Sequence, residues 1–413
     1  MTVRLSDRPK LRLVDLRPHS QNGQNYLLLR DPLQLSDRQL LLPDVLAALL
    51  PFFDGTRSLQ AIAHEFNAHY GVPIGAEMVH KLATALDEVH LLENETGRAA
   101  LARAQADYRA APHRPPLFAD RGYPADPGDL GALLDGFRDM AQRRHGPLAP
   151  VEPAPRFGLL SPHIDYTRGG IVYAQVWAQA APAIQAADLA IIFATDHAGS
   201  DPFTLTRQHY ATPYGVLPTA QDIVDRLAAA LGEDAAFAGE LRHRSEHSIE
   251  LVAVWLHHLR RGRPIEVVPI LCGGLHPYIA NGADPATDLP TRRVLETLRA
   301  ASAGRNVVVV ASGDLSHVGP AFSQPALTAS TRAAVHAADQ ELIRHMQTGD
   351  ASAFFESIRR VRDRHNVCGV APIYFTLRLL GPVEGILAGY ASCPADEADT
   401  SAVTIGGMIF RGE

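Results

Sequence analysis

Three times in this chain an apolar run ends on a histidine close to a carboxylate and a glycine. Residues 157–160 lead through Ser161-Pro162 to His163 and Asp165, ahead of Gly169-Gly170. Residues 189–194 run into Thr195-Asp196-His197-Ala198-Gly199, and residues 307–311 into Ser312-Gly313-Asp314-Leu315-Ser316-His317. Each run is continuously apolar, as strands covered on both faces are. In open α/β sheets, sites are built beyond the C-terminal ends of such strands. Neighbouring parallel strands would therefore bring His163, His197 and the Asp314/His317 pair to one rim.

Two further stretches carry reactive side chains. Cys368 stands before Gly369 at the start of a helical run, where a helix dipole favours a thiolate. Two histidines and a cysteine suit a transition metal such as iron, copper or zinc and leave coordination positions open. The alternative for Cys368 is a buried core thiol. Glu246-His247 precede a helix beginning near Ser248 and are placed to reach a pocket; alternatively Glu246 only charges the helix N-terminus. Glu246 and Glu250 flank His247, but no second histidine follows it at the HExxH spacing.

The elements that must position these residues read as a three-layer α/β domain over 118–413 with a mainly parallel or mixed central sheet. Candidate strands are 157–160, 190–194, 265–270, 306–311 and 385–389. Candidate helices are 130–144, 220–231, 248–261, 291–301, 330–347 and 351–361. A smaller winged-helix-like α+β domain occupies 1–95, with strands at 11–15 and 26–30 and three helices. The first helix is opened by Pro43 and runs to Phe53. The second is capped by Ser58 and stopped by Gly71, and the third carries Met78, Val79, Leu82, Leu86 and Val89. Residues 96–117 read as the linker, helical in the first half and broken by prolines in the second.

Composition narrows the function classes. The chain has 413 residues, 46% hydrophobic and 20% charged, with a formal net charge of −7. That balance argues against broad nucleic-acid binding, which needs clustered cations to displace counterions. No apolar run is long enough to span a bilayer, and Met1–Lys10 lacks the apolar core of a secretory signal. Three widely spaced cysteines, Cys272, Cys368 and Cys393, point to a reduced, cytoplasmic protein.

The run LLPFFDGTRSLQAIAHEFNAHYGVP…VHKLATALDEVHLL, within residues 46–92, resembles the PqqD-like family. The resemblance implies a peptide-recognition module that serves a modifying enzyme; the alternative is a small domain used for packing or dimerisation. The rest of the chain resembles the Memo family, also called AmmeMemoRadiSam system protein B. The matching segments are GYPADPGDL (122–130), SPHIDYTRGGIVYA (161–174), IIFATDH (191–197), SEHSIELVAVWL (245–256), VVPILCG (267–273), VVVASGDLSHVG (308–319), CGVAPI (368–373) and DTSAVTIGG (399–407). They occur in the family's order.

This resemblance implies a fold similar to class III extradiol dioxygenases, which use non-haem Fe(II). It implies His163, His197 and Cys368 as ligands for iron or copper, with zinc a third choice. It also implies His317 as acid/base with Asp314 beside it, and Glu246 and His247 as pocket residues. The sequence departs from the family where PHAGY reads PHIDY, G-P-S-H reads A-T-D-H and C-G-R reads C-G-V. Asp165 and Asp196 are thereby expected at the pocket and a positive charge is lost, which disfavours a carboxylated substrate.

Two functions from different classes follow. One is a metal-dependent oxidoreductase or dioxygenase-like enzyme acting on a small molecule or peptide, with Asp314 orienting His317. The other is a non-catalytic metal- or peptide-binding accessory protein of a radical SAM or peptide-modification system. The chain has no CxxxCxxC cluster motif and so is not the radical enzyme itself. Homo-oligomers are common for such enzymes, and no feature of the sequence sets a stoichiometry.

Overall fold

A computed structural model describes residues 7–413; the first six positions of the 1–95 domain and of the segment read for a leader lie outside them. The chain separates into two compact units, residues 1–110 and 111–413. The helix Glu95–Ala110, over the first part of the expected linker, is counted with the first unit.

In the smaller unit, Asp15–Gln21, Gln24–Arg30 and Leu40–Pro43 form an antiparallel sheet. The strand expected at 11–15 lies further along, because Asn22 and Gly23 both adopt positive φ and close a two-residue hairpin that sets its register. The helix expected from Pro43 to Phe53 is instead Asp44–Ala47 followed by a 3₁₀ turn at Leu50–Phe52. Pro51 has no N–H for the Ala47 carbonyl and its ring crowds that turn, so an unbroken helix is excluded. Leu59–Tyr70 is capped by Ser58 Oγ, which accepts from Ala61 N at 3.2 Å, and ends at the left-handed Gly71. Ala76–Glu88 follows. The two helices bury Ile62, Phe66, Val79, Leu82 and Leu86 with Leu29 and Leu42 of the sheet in a core of their own.

The larger unit is built on an eight-stranded mixed sheet. Four parallel strands stand at its centre in the spatial order Arg156–Ser161, Val307–Ser312, Leu189–Thr195, Glu266–Cys272. Ala402–Gly412 joins antiparallel on the Arg156–Ser161 side, and Thr204–Leu205 on the Glu266–Cys272 side. Ala402–Gly412 pairs in turn with Glu384–Pro394, which carries the strand expected at 385–389.

Alternate side chains of the central strands enter two different cores, which is why the strands read as continuously apolar. Leu160, Ile191, Phe193, Ile270 and Val309 pack against the helices Gln221–Leu231, Leu289–Ser302, Ala351–Arg360 and Val370–Leu380. Leu159, Ile192, Leu271, Val308 and Val310 pack against Pro127–His145, Tyr166–Ala186 and Ser248–Leu259. The result is three layers, helix–sheet–helix. The Ser248–Leu259 helix is also anchored through the fully buried Glu250. Its carboxylate takes the Arg114 guanidinium, the Tyr123 hydroxyl and the backbone N–H groups of Leu117 and Phe118 at 3.0 and 2.8 Å.

Candidate metal centre

The register of the parallel strands levels their C-terminal ends. Ser312 lies opposite both Ser161 and Ala194, and Thr195 lies opposite Cys272. The residues that follow each strand are therefore delivered to one rim. Hydroxyl groups stitch the rim to its neighbours. Ser312 Oγ donates to Ser248 O at 2.7 Å and Ser248 Oγ donates to Thr195 O at 2.7 Å, which fixes the start of the Ser248–Leu259 helix and the Glu246-His247 turn before it. Thr195 Oγ1 donates to Cys368 O at 2.9 Å.

Cys368 is brought in by a close approach of two glycines. A Cβ on Gly313 would stand 2.5 Å from Gly369 Cα, so only glycine lets the segments meet. Gly369 N then donates to Asp314 O at 2.9 Å, and Asp314 N to Cys368 Sγ at 3.3 Å.

The donor atoms of His163, His197 and Cys368 all lie within 4.8 Å of one another. His163 Nε2 is 3.2 Å from Cys368 Sγ, while its buried Nδ1 has no hydrogen-bond partner among the described residues. The His163 and His197 rings meet edge to face at 4.9 Å, and His197 stacks on His247 at 4.9 Å. Two imidazoles and a thiol converging in this way fit a divalent or cuprous ion of the first transition row. Two overlapping groups, His197/Glu246/His247 and Asp314/His317/Cys368, share residues with this one.

Around these donors each partner has a definite task. Glu246 accepts from His197 N at 3.0 Å, His247 N at 2.8 Å and Ser248 N at 3.0 Å, and its carboxylate stands 3.0–3.1 Å from His197 Nδ1. That contact makes Nδ1 a protonated nitrogen and turns the other side of the His197 ring to Cys368, where Nε2 could serve as a ligand once deprotonated. Burial would raise Glu246, but His197 and His247 hold it well below the usual carboxylate range. Burial would lower His197, but Glu246 and Cys368 carry it well above the ordinary imidazole range. Burial lowers His163, with His197 and His247 adding to the effect, and keeps it neutral. The Cys368 thiol, expected to be lowered by the helix dipole, is pushed up by burial, with His197 acting against that.

The remaining residues singled out from the sequence lie as follows. Asp314 Oδ1 accepts from His163 N at 2.9 Å, so this carboxylate holds His163. His317 is oriented by the Leu315 carbonyl, 3.1 Å from its Nδ1. Burial lowers His317, opposed by the Asp314 charge. Asp196 is buried against Arg242, with Nε at 2.6 Å, so its charge is compensated. Asp165 caps the Tyr166–Ala186 helix, accepting from Arg168 N at 3.0 Å and from the Arg168 guanidinium at 2.6 Å; its side chain is 40% exposed. The extra acidity expected from these two aspartates is thus met by two arginines, Arg168 within the 161–174 segment and Arg242 outside every matching segment.

A family model described as Memo-like protein matches residues 114–409. The chain is similar to a MEMO1 family protein of Aquifex aeolicus (strain VF5), 25% identical over 408 residues that cover 98% of this chain and 100% of that protein. It is similar to a MEMO1 family protein of Methanosarcina mazei, 28% identical over 250 residues, covering 60% of this chain and 82% of that protein. A MEMO1 family protein of Archaeoglobus fulgidus is 25% identical over 303 residues, covering 72% of this chain and 99% of that protein.

Proposed function

The chain belongs to the Memo-like family, and from that premise we propose that His163, His197 and Cys368 hold one non-haem metal ion used in oxidoreductase or dioxygenase-like chemistry on a small molecule or peptide. The observation that carries this reading is the convergence of the three donor atoms within 4.8 Å at the ends of two strands and a helix. Iron(II) is the first candidate. The thiol makes the donor set softer than an all-histidine and carboxylate site and favours copper(I) next, with zinc third.

When bound, such an ion supplies Lewis-acid and one-electron chemistry. The protein supplies the rest. Glu246 fixes the tautomer of His197, and Asp314 holds the backbone of His163. Backbone groups of Leu315 and Asn366 hold the His317 ring, and burial lowers its basicity, so that it is neutral near pH 7 and able to take a proton.

The experiment is metal analysis of untagged protein. About one equivalent is expected in the native chain and less than about a tenth in His163→Ala and Cys368→Ser. Full metal in both variants rejects the three-residue centre. Oxygen uptake by the loaded protein with catechols or peptide thiols then separates a catalyst from a binding protein. The second reading, an accessory protein of a radical SAM or peptide-modification system, is favoured by the smaller unit's own core and its PqqD-like run. Capture of a substrate peptide by the full chain, unaffected by loss of metal, would support it.

A further inference from the structure

Next to the three proposed ligands lies a cavity of about 280 Å³, with His197 and Cys368 in its wall. Leu275, Ile279, Val370 and Ala371 give it an apolar side, and neither lysine nor arginine lines it. Two aspartates do. Asp196 is already paired with Arg242. Asp363 has no such ion pair: it is only 9% exposed, its Oδ1 accepts from Val367 N at 2.9 Å, and its other oxygen, which has no hydrogen-bond partner among the described residues, is not sealed off from solvent. A donor or a cation placed in the cavity could reach that oxygen and offset the cost of holding a carboxylate in so buried a position.

The chain holds Asp363 there at some conformational expense. Arg362, Asp363 and Asn366 all lie in the left-handed region, with φ of 53°, 47° and 48°. Non-glycine residues adopt it sparingly, and clusters of them occur where function fixes the backbone.

We infer that Asp363 receives the primary ammonium group of a small amine, whose apolar body lies against Leu275 and Ile279 and whose far end is presented to the His197–Cys368 side of the cavity. Calling that amine a substrate rests on the metal-centre reading; the binding of an ammonium group does not. Volume limits the ligand to a small molecule or the N-terminal residue of a peptide. Two aspartates line the cavity and neither lysine nor arginine does, which sets the preference against carboxylates. Burial pushes the Asp363 carboxyl up to about 6, so above that pH it is an anion in a site that disfavours one, and an ammonium partner relieves the penalty.

The test uses the full chain with its measured metal content, at pH 8, where the Asp363 carboxyl is an anion and a primary amine carries its charge. Calorimetric titrations compare 3-phenylpropylamine, 3-phenylpropan-1-ol and 3-phenylpropionate, which share one body. The amine should bind at least about tenfold tighter than either of the others, the range of a charge-assisted hydrogen bond. Asp363→Asn, which can keep the Val367 bond, should remove that margin with metal content unchanged. Ile279→Trp, which fills the cavity from its apolar side, should abolish amine binding. Equal affinity for the three probes, a margin that survives in Asp363→Asn, amine binding that survives in Ile279→Trp, or binding of none of the probes would each overturn the inference. A chain that lacks metal but shows the amine margin would reject the metal centre and leave this inference standing.

Discussion

His163 Nε2 stands 3.2 Å from Cys368 Sγ, across 205 positions of chain. His163 is brought there by the parallel strand before it, and Cys368 by the contact of Gly369 with Gly313. A nitrogen and a sulfur at this separation can share one ion with little movement of either backbone.

The glycine contact gives a direct test of that arrangement. In Gly313→Ala the new Cβ would stand 2.5 Å from Gly369 Cα, backbone against a strand end, where nothing flexible can yield. A loss of roughly 1–3 kcal/mol in urea unfolding is expected, typical of overpacking, together with weaker metal retention. Unchanged stability and metal content would show that Cys368 is positioned by other contacts.

Glu246 should matter through the histidine that it orients. Glu246→Gln removes the charge facing His197 Nδ1, so metal affinity should fall roughly 10–100-fold in competition with a chelator. Asp165→Asn, at the helix cap, should leave that affinity unchanged.

His243 sets an acid limit on stability. It is fully buried, with Nδ1 2.6 Å from the Tyr210 hydroxyl and Nε2 2.9 Å from Thr204 O, and burial pushes it down to about 3. The unfolded chain takes up this proton near pH 6.5 and the folded chain does not. Its contribution is therefore present above pH 6.5 and is lost as pH falls. A loss of about 2 kcal/mol between pH 6.5 and 5 is expected. Denaturant titrations should show the gap between the native chain and His243→Gln closing by about that amount; a gap independent of pH would reject the assignment.

Asp363 acts in the opposite sense. Its folded value of about 6 lies above the ordinary 3.8, so the folded chain binds more protons between the two. The stability this provides is full below pH 3.8 and is lost as pH rises through 6. Asp363→Asn does not titrate, so it should gain on the native chain from pH 4 to pH 7 by about 3 kcal/mol at most. Thermal unfolding at pH 4, 5, 6 and 7 reads that trend, and a gain that shrinks with pH would contradict it.

Much of the fold was legible in both units because its signals are local. Both-face burial makes the strands Leu189–Thr195 and Val307–Ser312 unbroken apolar runs, and Ser58 and Gly71 mark helix ends by their own chemistry. Pro51 was equally local, yet the apolar spacing around it outweighed a single missing N–H in the reading. Arg242 and Asp363 carried no local mark, since a charged residue between the main elements has the same appearance whether or not it is buried.

By itself the sequence determined the α/β class, the family and the residue types at the strand ends, because periodicity and strand-end chemistry are written in neighbouring positions. Only the tertiary structure decided that Asp314 serves His163, that Arg242 cancels Asp196, and that Asp363 faces a cavity beside Cys368. Those outcomes depend on desolvation and on distances between segments up to 151 residues apart, and neither is encoded in local spacing.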